Sequence, residues 1–196
     1  MSNGLQKIKH IHYSKFENKA KEILSEAEQK GMYTKGEPVQ IMLLCEKSFN
    51  LFVSYEPLEN TMQEGILGCL DFEQNAIFLD ENTADDSEGR LNFTIAHELG
   101  HFIYHKPLYE AVGKDFLLLH NELDPIYKKP RRDIETQANM FASAILMPKD
   151  VLIEKWNELG KYTPLQAKAQ YLQKFFEVSR EAIEYRIDNI FHKQNI

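Results

Sequence analysis

Two histidines four residues apart, His97 and His101, flank Glu98 inside the apolar-periodic stretch 91–105 (LNFTIAHELGHFIYH). On a helix this spacing stacks both rings on one face, one turn apart, where they can point at a single metal ion. Glu98 then sits beside the pair, placed to act as a base on a water molecule without being a ligand. A lone histidine on a helix flank is usually satisfied by one hydrogen bond. A pair with a glutamate between them asks for a further ligand from another element, and that requirement restricts the fold more than anything else in the sequence.

The stretch 132–149 (RDIETQANMFASAILMPK) offers that ligand. Arg132–Leu146 reads as a helix with Ile134, Ala138, Phe141, Ala142 and Ile145 as its apolar stripe, ended by Pro148. The small residues Ala138, Ala142, Ser143 and Ala144 would let it approach the first helix closely. Glu135 and Asn139 lie one turn apart on one side. A helix-borne glutamate against an apolar surface is expensive to bury unpaired, and a metal is one of the few partners that makes burial acceptable. A salt bridge to Arg131 or Arg132 is the alternative. His105 continues the row, but on a straight helix it lies about 12 Å from His97, whereas zinc–nitrogen bonds are about 2 Å long. It is expected to support the ligands or line the cleft. His97, His101 and Glu135 around Zn2+, with Glu98 as base, is the arrangement of a zinc peptidase.

Ahead of this pair, Ser14 and Glu17 fit a capping box opening a helix whose apolar stripe is Phe16, Ala20, Ile23, Leu24 and Ala27, closed by Gly31. His10 and His12 precede it as bystanders. From Pro38 the period shortens: Val39–Cys45, Leu51–Tyr55, Ile66–Leu70 and Ala76–Leu79 read as strands, with Asp71–Asn75 as a hairpin loop. The expectation is an α+β fold in which a small, largely antiparallel sheet is packed with helices and followed by a helical tail. The run 77–80 (IFLD) is a candidate edge strand for holding an extended peptide. Residues 106–131, broken by Pro107, Gly113, Pro125 and Pro130, form a long connection. Its apolar segment 116–119 is either a lid or a buried excursion, and Tyr109 and His120 become candidates for stabilising an oxyanion. The tail divides into helices at Lys149–Leu159, Pro164–Phe176 and Ser179–Ile190. Residues 1–148 thus form the main domain and 149–196 a helical subdomain packed on it.

The 196 residues, 43% hydrophobic, are enough for a real core, and a net charge of −7 gives no reason to expect a nucleic-acid surface. The last two helices look like a helix-turn-helix, but their few basic residues are balanced by Glu177, Glu181, Glu184 and Asp188, so direct DNA contact is not expected. Cys45 and Cys69 stand in apolar runs and read as buried free thiols of a reducing compartment. No apolar run is long enough to span a membrane and the first residues lack the core of a secretory signal, which points to the cytoplasm.

Three segments together resemble the ImmA/IrrE family of metallopeptidases. His97-Glu98-Leu99-Gly100-His101 with His105 resembles the family's zinc helix. The segment from Glu135 to Ala142 matches its E-x-x-A-N-x-F-A pattern, with Leu146-Met147-Pro148 as its characteristic end. Phe176-Glu177-Val178-Ser179, with Ala182 and Arg186 beyond, looks like its F-x-V-S-x-x-A-x-x-x-R segment. The resemblance covers roughly residues 90–190. It implies a zincin-like domain in which zinc is held by His97, His101 and Glu135 and Glu98 is the base. It also implies a protein substrate, a helix-turn-helix repressor of phage or mobile-element type, cleaved so that the enzyme acts as an antirepressor. The chain resembles the family's stand-alone members. The alternative is a non-catalytic antitoxin or stress-response regulator that works by contact on the same fold.

Overall fold

A computed structural model describes residues 10–58, 67–81, 88–112 and 128–191. Helix α1 spans Tyr13–Gln29 and buries Phe16, Ala20, Ile23, Leu24 and Ala27, the expected stripe. Its N-terminus differs from the capping box. His12 is the N-cap, its ring accepting the Ser14 amide at 3.3 Å, while Ser14 lies inside the helix. Its C-terminus closes as expected: Gly31 takes φ +70°, with Gly31 N–H donating to Glu28 O and Met32 N–H to Ala27 O. These are the paired bonds of a Schellman motif.

Residues 41–49 form a helix, α2 (Ile41–Phe49), where a strand was expected. The run is apolar enough to read either way, but Ile41, Leu44 and Cys45 are buried at helical spacing. Asn50, in the left-handed conformation at φ 50°, ends it.

Strands β1 (Phe52–Glu56), β2 (Gly68–Asp71) and β3 (Ala76–Asp80) form one sheet in the order β1-β3-β2. β2 and β3 make the expected antiparallel hairpin, pairing Asp71 with Ala76 and Gly68 with Leu79. β1 runs parallel to β3, Phe52 opposite Ala76, so the sheet is mixed rather than largely antiparallel. β3 is therefore the central strand, and the reading of 77–80 as an edge is corrected. Ala76, Ile77 and Leu79 are all buried, because a strand paired on both sides and covered on both faces carries an almost continuous apolar run.

Helix α3 runs from Glu88 to Val112, past Pro107, where a connection was expected. Proline removes one helical hydrogen bond. The last turns are held instead by the β2–β3 hairpin: Lys106 Nζ donates to Asn75 Oδ1 at 3.0 Å, the Tyr109 hydroxyl to Glu73 Oε1 at 3.1 Å, and Tyr109 stacks on Phe72. The segment 116–119 and His120 lie outside the described residues.

Helix α4 (Lys128–Leu146) stops before Pro148, which opens α5 (Lys149–Glu158). α6 (Leu165–Phe175) and α7 (Arg180–Phe191) follow. Before α6 the Thr163 hydroxyl donates to the Leu159 carbonyl. Ser179 caps α7, its Oγ accepting the Ala182 amide at 3.2 Å. One buried cluster runs from Phe16 through Ile77, Leu99 and Phe141 to Ile190, joining helices and sheet.

Contacts at both ends of the last helical segment tie the tail to the rest. Arg186 on α7 is 0% exposed; its Nε and Nη2 donate to the Met147 carbonyl at 3.1 and 2.8 Å, and Nη2 also reaches Glu17 Oε2 at 3.1 Å. Nη1 meets Tyr13 and Glu17 as well. Glu17 is therefore the partner of a buried arginine, not half of a capping box. At the other end, Gly89 in the first turn of α3 lies so close to the α6–α7 turn that a Cβ there would come 2.4 Å from the Val178 carbonyl carbon.

Arg186→Met leaves Glu17 and a carbonyl without their donors and is expected to lower unfolding free energy by about 3 kcal/mol in urea titrations. Arg186→Met with Glu17→Met should recover part of that loss, and a double mutant no more stable than the single would show that the ion pair is not the cause. Gly89→Ala forces backbone apart and should cost about 1–3 kcal/mol; an unchanged midpoint would refute the contact.

Candidate metal centre

The site is built where α3 crosses α4. Their approach is set at Gly100, where a Cβ would lie 3.1 Å from both the Cα and the carbonyl oxygen of Ala138. With no side chain at 100 and only a methyl at 138, the two backbones come together. Ala138, Phe141 and Ala142, all 0% exposed, fill the seam. His97 and His101 project from α3 beside this crossing and Glu135 reaches them from α4.

The donor atoms converge. His97 Nε2 and His101 Nε2 are 2.9 Å apart, Glu135 Oε2 is 3.1 Å from His97 Nε2, and Glu135 Oε1 is 3.6 Å from His101 Nε2. Ligands about 2.1 Å from a tetrahedral ion stand about 3.4 Å from one another, so this spacing accommodates an ion at the centre. Among the described residues, His97, His101 and Glu135 are the group able to hold a metal, and their donor atoms fit a divalent cation. His101 is buried while His97 and Glu135 are half-buried, so the cluster has a protein-facing side and an open one.

The surroundings favour positive charge. Burial alone lowers the basicity of His97, but its hydrogen bond to Glu135 and the charges of Glu98 and Glu135 outweigh that and pull it up to about 9. A field that holds a proton so firmly also favours a metal cation, which competes with that proton for the same lone pair. Asn139, one turn along α4 from Glu135, places Oδ1 at 2.8 Å from His97 Nδ1. The amide oxygen accepts the Nδ1 proton, which directs the His97 Nε2 lone pair into the cluster.

Glu98 is half-buried next to His97 and close enough to β2 that, after burial itself, its charge is the main influence pushing the Cys69 thiol up to about 11. Its charge is thus felt both at His97 in the ligand cluster and at Cys69 on β2. His105 stands behind His101, with Nδ1 at 2.9 Å from His101 Nδ1 and Nε2 at 3.2 Å from Gln137 Oε1. Burial first, then His101, hold His105 down to about 3, so its ring is neutral. Tyr109 is engaged in the hairpin clasp, its hydroxyl donating to Glu73 and its ring stacked on Phe72. Among the described residues, Gln137 is a contributor that reading the sequence overlooked. It lies off the face shared by Glu135 and Asn139 but on the buried stripe, three residues after Ile134 and four before Phe141, so a polar residue at a stripe position was the available signal.

Set against known proteins, the chain is 35% identical over 122 residues to the radiation response metalloprotease IrrE of Deinococcus radiodurans. That stretch is 61% of this chain and 33% of the relative, so the match spans about a third of the relative's length. A Mycobacterium tuberculosis transcriptional regulator shares the fold, with a TM-score of 0.59 at 16% identity over 92% of this chain and 48% of that one. Residues 46–188, from within α2 almost to the end of α7 and including the whole ligand cluster, match the IrrE N-terminal-like domain, and the chain belongs to this peptidase family.

Proposed function

We propose that the chain is a zinc-dependent endopeptidase that cuts a protein partner, a helix-turn-helix repressor of phage or mobile-element type, and so acts as an antirepressor. The observation that carries the hydrolytic part is the convergence of two imidazole nitrogens and a carboxylate from two helices, with a second carboxylate, Glu98, beside them. A small mixed set of nitrogen and oxygen donors suits zinc, whereas calcium and magnesium take more ligands, nearly all oxygen. His97, His101 and Glu135 would hold the ion. Bound there, zinc supplies Lewis-acid activation of water and of the scissile carbonyl. Glu98 handles the proton: its carboxylate accepts one from the attacking water and delivers it to the departing amine.

The substrate would lie along β2. Among the described residues this strand is an edge of the sheet; it packs against α3 and carries Cys69 within the field of Glu98. An extended peptide added to that edge would have its backbone held by main-chain hydrogen bonds while it passes the catalytic carboxylate. The role that was expected of the 77–80 run moves to this strand.

A repressor substrate is supported by the likeness to the ImmA/IrrE family, in which proteolysis and transcriptional control meet. The free Cys45 and Cys69 suit a reducing cytoplasm.

Elemental analysis of protein purified without added metal should find one zinc per chain in wild type and in Glu98→Gln, and none in His97→Ala or Glu135→Ala. Glu98→Gln should cut repressor cleavage, followed by mass spectrometry, about 10²–10⁴-fold. Cleavage at the wild-type rate would sink the base assignment. Relief of repression that persists in the metal-free variants would instead show a regulator acting by contact.

A further inference from the structure

The zinc-ligand reading leaves two buried polar side chains unused. His105 is 3% exposed and Gln137 7%, both in the seam where α3 meets α4. Polar groups are buried at a cost unless their hydrogen bonds are made, and these two make theirs in a line that ends on a ligand. Gln137 Oε1 stands 3.2 Å from His105 Nε2, and His105 Nδ1 stands 2.9 Å from His101 Nδ1.

The protons along this line are determined from one end. The carbonyl oxygen of Gln137 can only accept, so His105 Nε2 must carry a hydrogen. A neutral ring has just one, which leaves a lone pair on His105 Nδ1. The facing nitrogen, His101 Nδ1, must then be the donor. Its own ring is left with a lone pair on Nε2, the atom 2.9 Å from His97 Nε2 and 3.6 Å from Glu135 Oε1. The opposite arrangement would need the Gln137 amide nitrogen turned inward, and it would put a hydrogen on His101 Nε2, into the space the metal needs.

Resting on the reading of His97, His101 and Glu135 as zinc ligands, we infer that His105 and Gln137 are positioning residues, a buried relay that fixes the tautomer and aim of His101 and thereby sets metal affinity. His97 is oriented in one step, by Asn139; His101 is oriented in two. Both lines end on amide oxygens of α4, from the residues immediately before and after Ala138, so the helix that supplies the third ligand also aims the other two. Orienting partners of this kind typically contribute about 10–100-fold to metal affinity.

The test is zinc affinity of the full chain, measured by competition with a coloured chelator, together with 15N NMR of the metal-free protein. His105→Phe, which fills the space without an acceptor, and Gln137→Met, which keeps the shape without the oxygen, should each weaken zinc about 10–100-fold. His105→Asn puts an amide oxygen where Nδ1 was and should restore most of the loss, which mere refilling of the core would not do. NMR should show His101 protonated at Nδ1 and His105 at Nε2. Undiminished zinc affinity in both His105→Phe and Gln137→Met, an Asn variant as weak as Phe, or a His101 ring protonated at Nε2 would overturn the relay alone. A wild-type chain that binds no zinc would overturn the ligand assignment, and the relay with it.

Discussion

The backbone contact between Gly100 and Ala138 is the constraint on which the site depends. A carboxylate on one helix can meet two imidazoles on another within 3.1–3.6 Å only if the helices nearly touch. Side chains at the contact would hold the axes apart and pull Glu135 out of reach. The position between the ligand histidines is therefore occupied by the one residue without a side chain, and the facing stretch of α4 is rich in alanine. The apolar seam does two things at once: burying Phe141, Ala142 and Leu99 stabilises the crossing, and the crossing makes the ligand set.

That arrangement concentrates unlike chemistry in a small volume. Two carboxylates, three histidines and two amides lie around one crossing, and the neutral groups are as purposeful as the charged ones. Asn139 and Gln137 cannot compete with the ligands for the cation as carboxylates would, and each offers an oxygen that only accepts. They impose direction on the imidazoles without adding negative charge to a site that already has Glu98 and Glu135. The difference between the two sides of the cluster follows from the same layout. His101 and its relay are enclosed by the seam, while His97 and Glu135 remain half-buried.

What could be read from sequence was whatever depended on a regular spacing. The stripe of α1, the β2–β3 hairpin, the histidine pair and the Glu135–Asn139 pair all follow from periods of 3.6 or 2 residues, and the structure places each on the expected element. Features set by tertiary competition were not readable. The run 41–45 is apolar at both helical and strand spacing, and only its neighbours decide for a helix. Whether 77–80 is central or at an edge depends on which strand lies beside it, and the parallel partner, β1, comes from far back in the chain. Glu17 fits a capping box by spacing, but an arginine 169 residues away takes its carboxylate. Gln137 stands on the buried stripe of α4 at helical spacing from Ile134 and Phe141, but the partner its amide meets is defined only by packing.

The same long-range pairing explains why the tail belongs to the site although the ligand cluster among the described residues takes nothing from it. α4 carries Glu135, Gln137 and Asn139 in its middle, and its trailing end at Met147 is gripped by Arg186, which also holds α1 through Glu17. The α6–α7 turn meanwhile presses on Gly89 at the start of α3, where Asn92 donates to the Glu177 carbonyl at 3.2 Å. Each ligand-bearing helix is thus clamped outside the crossing by residues of the Phe176–Arg186 segment. A helix free to slide by even one ångström would shift a carboxylate relative to two imidazoles whose spacing already matches an ion, and metal affinity is steep in that distance. The tail's short motif and the zinc motif, far apart in the chain, are two halves of one geometric requirement.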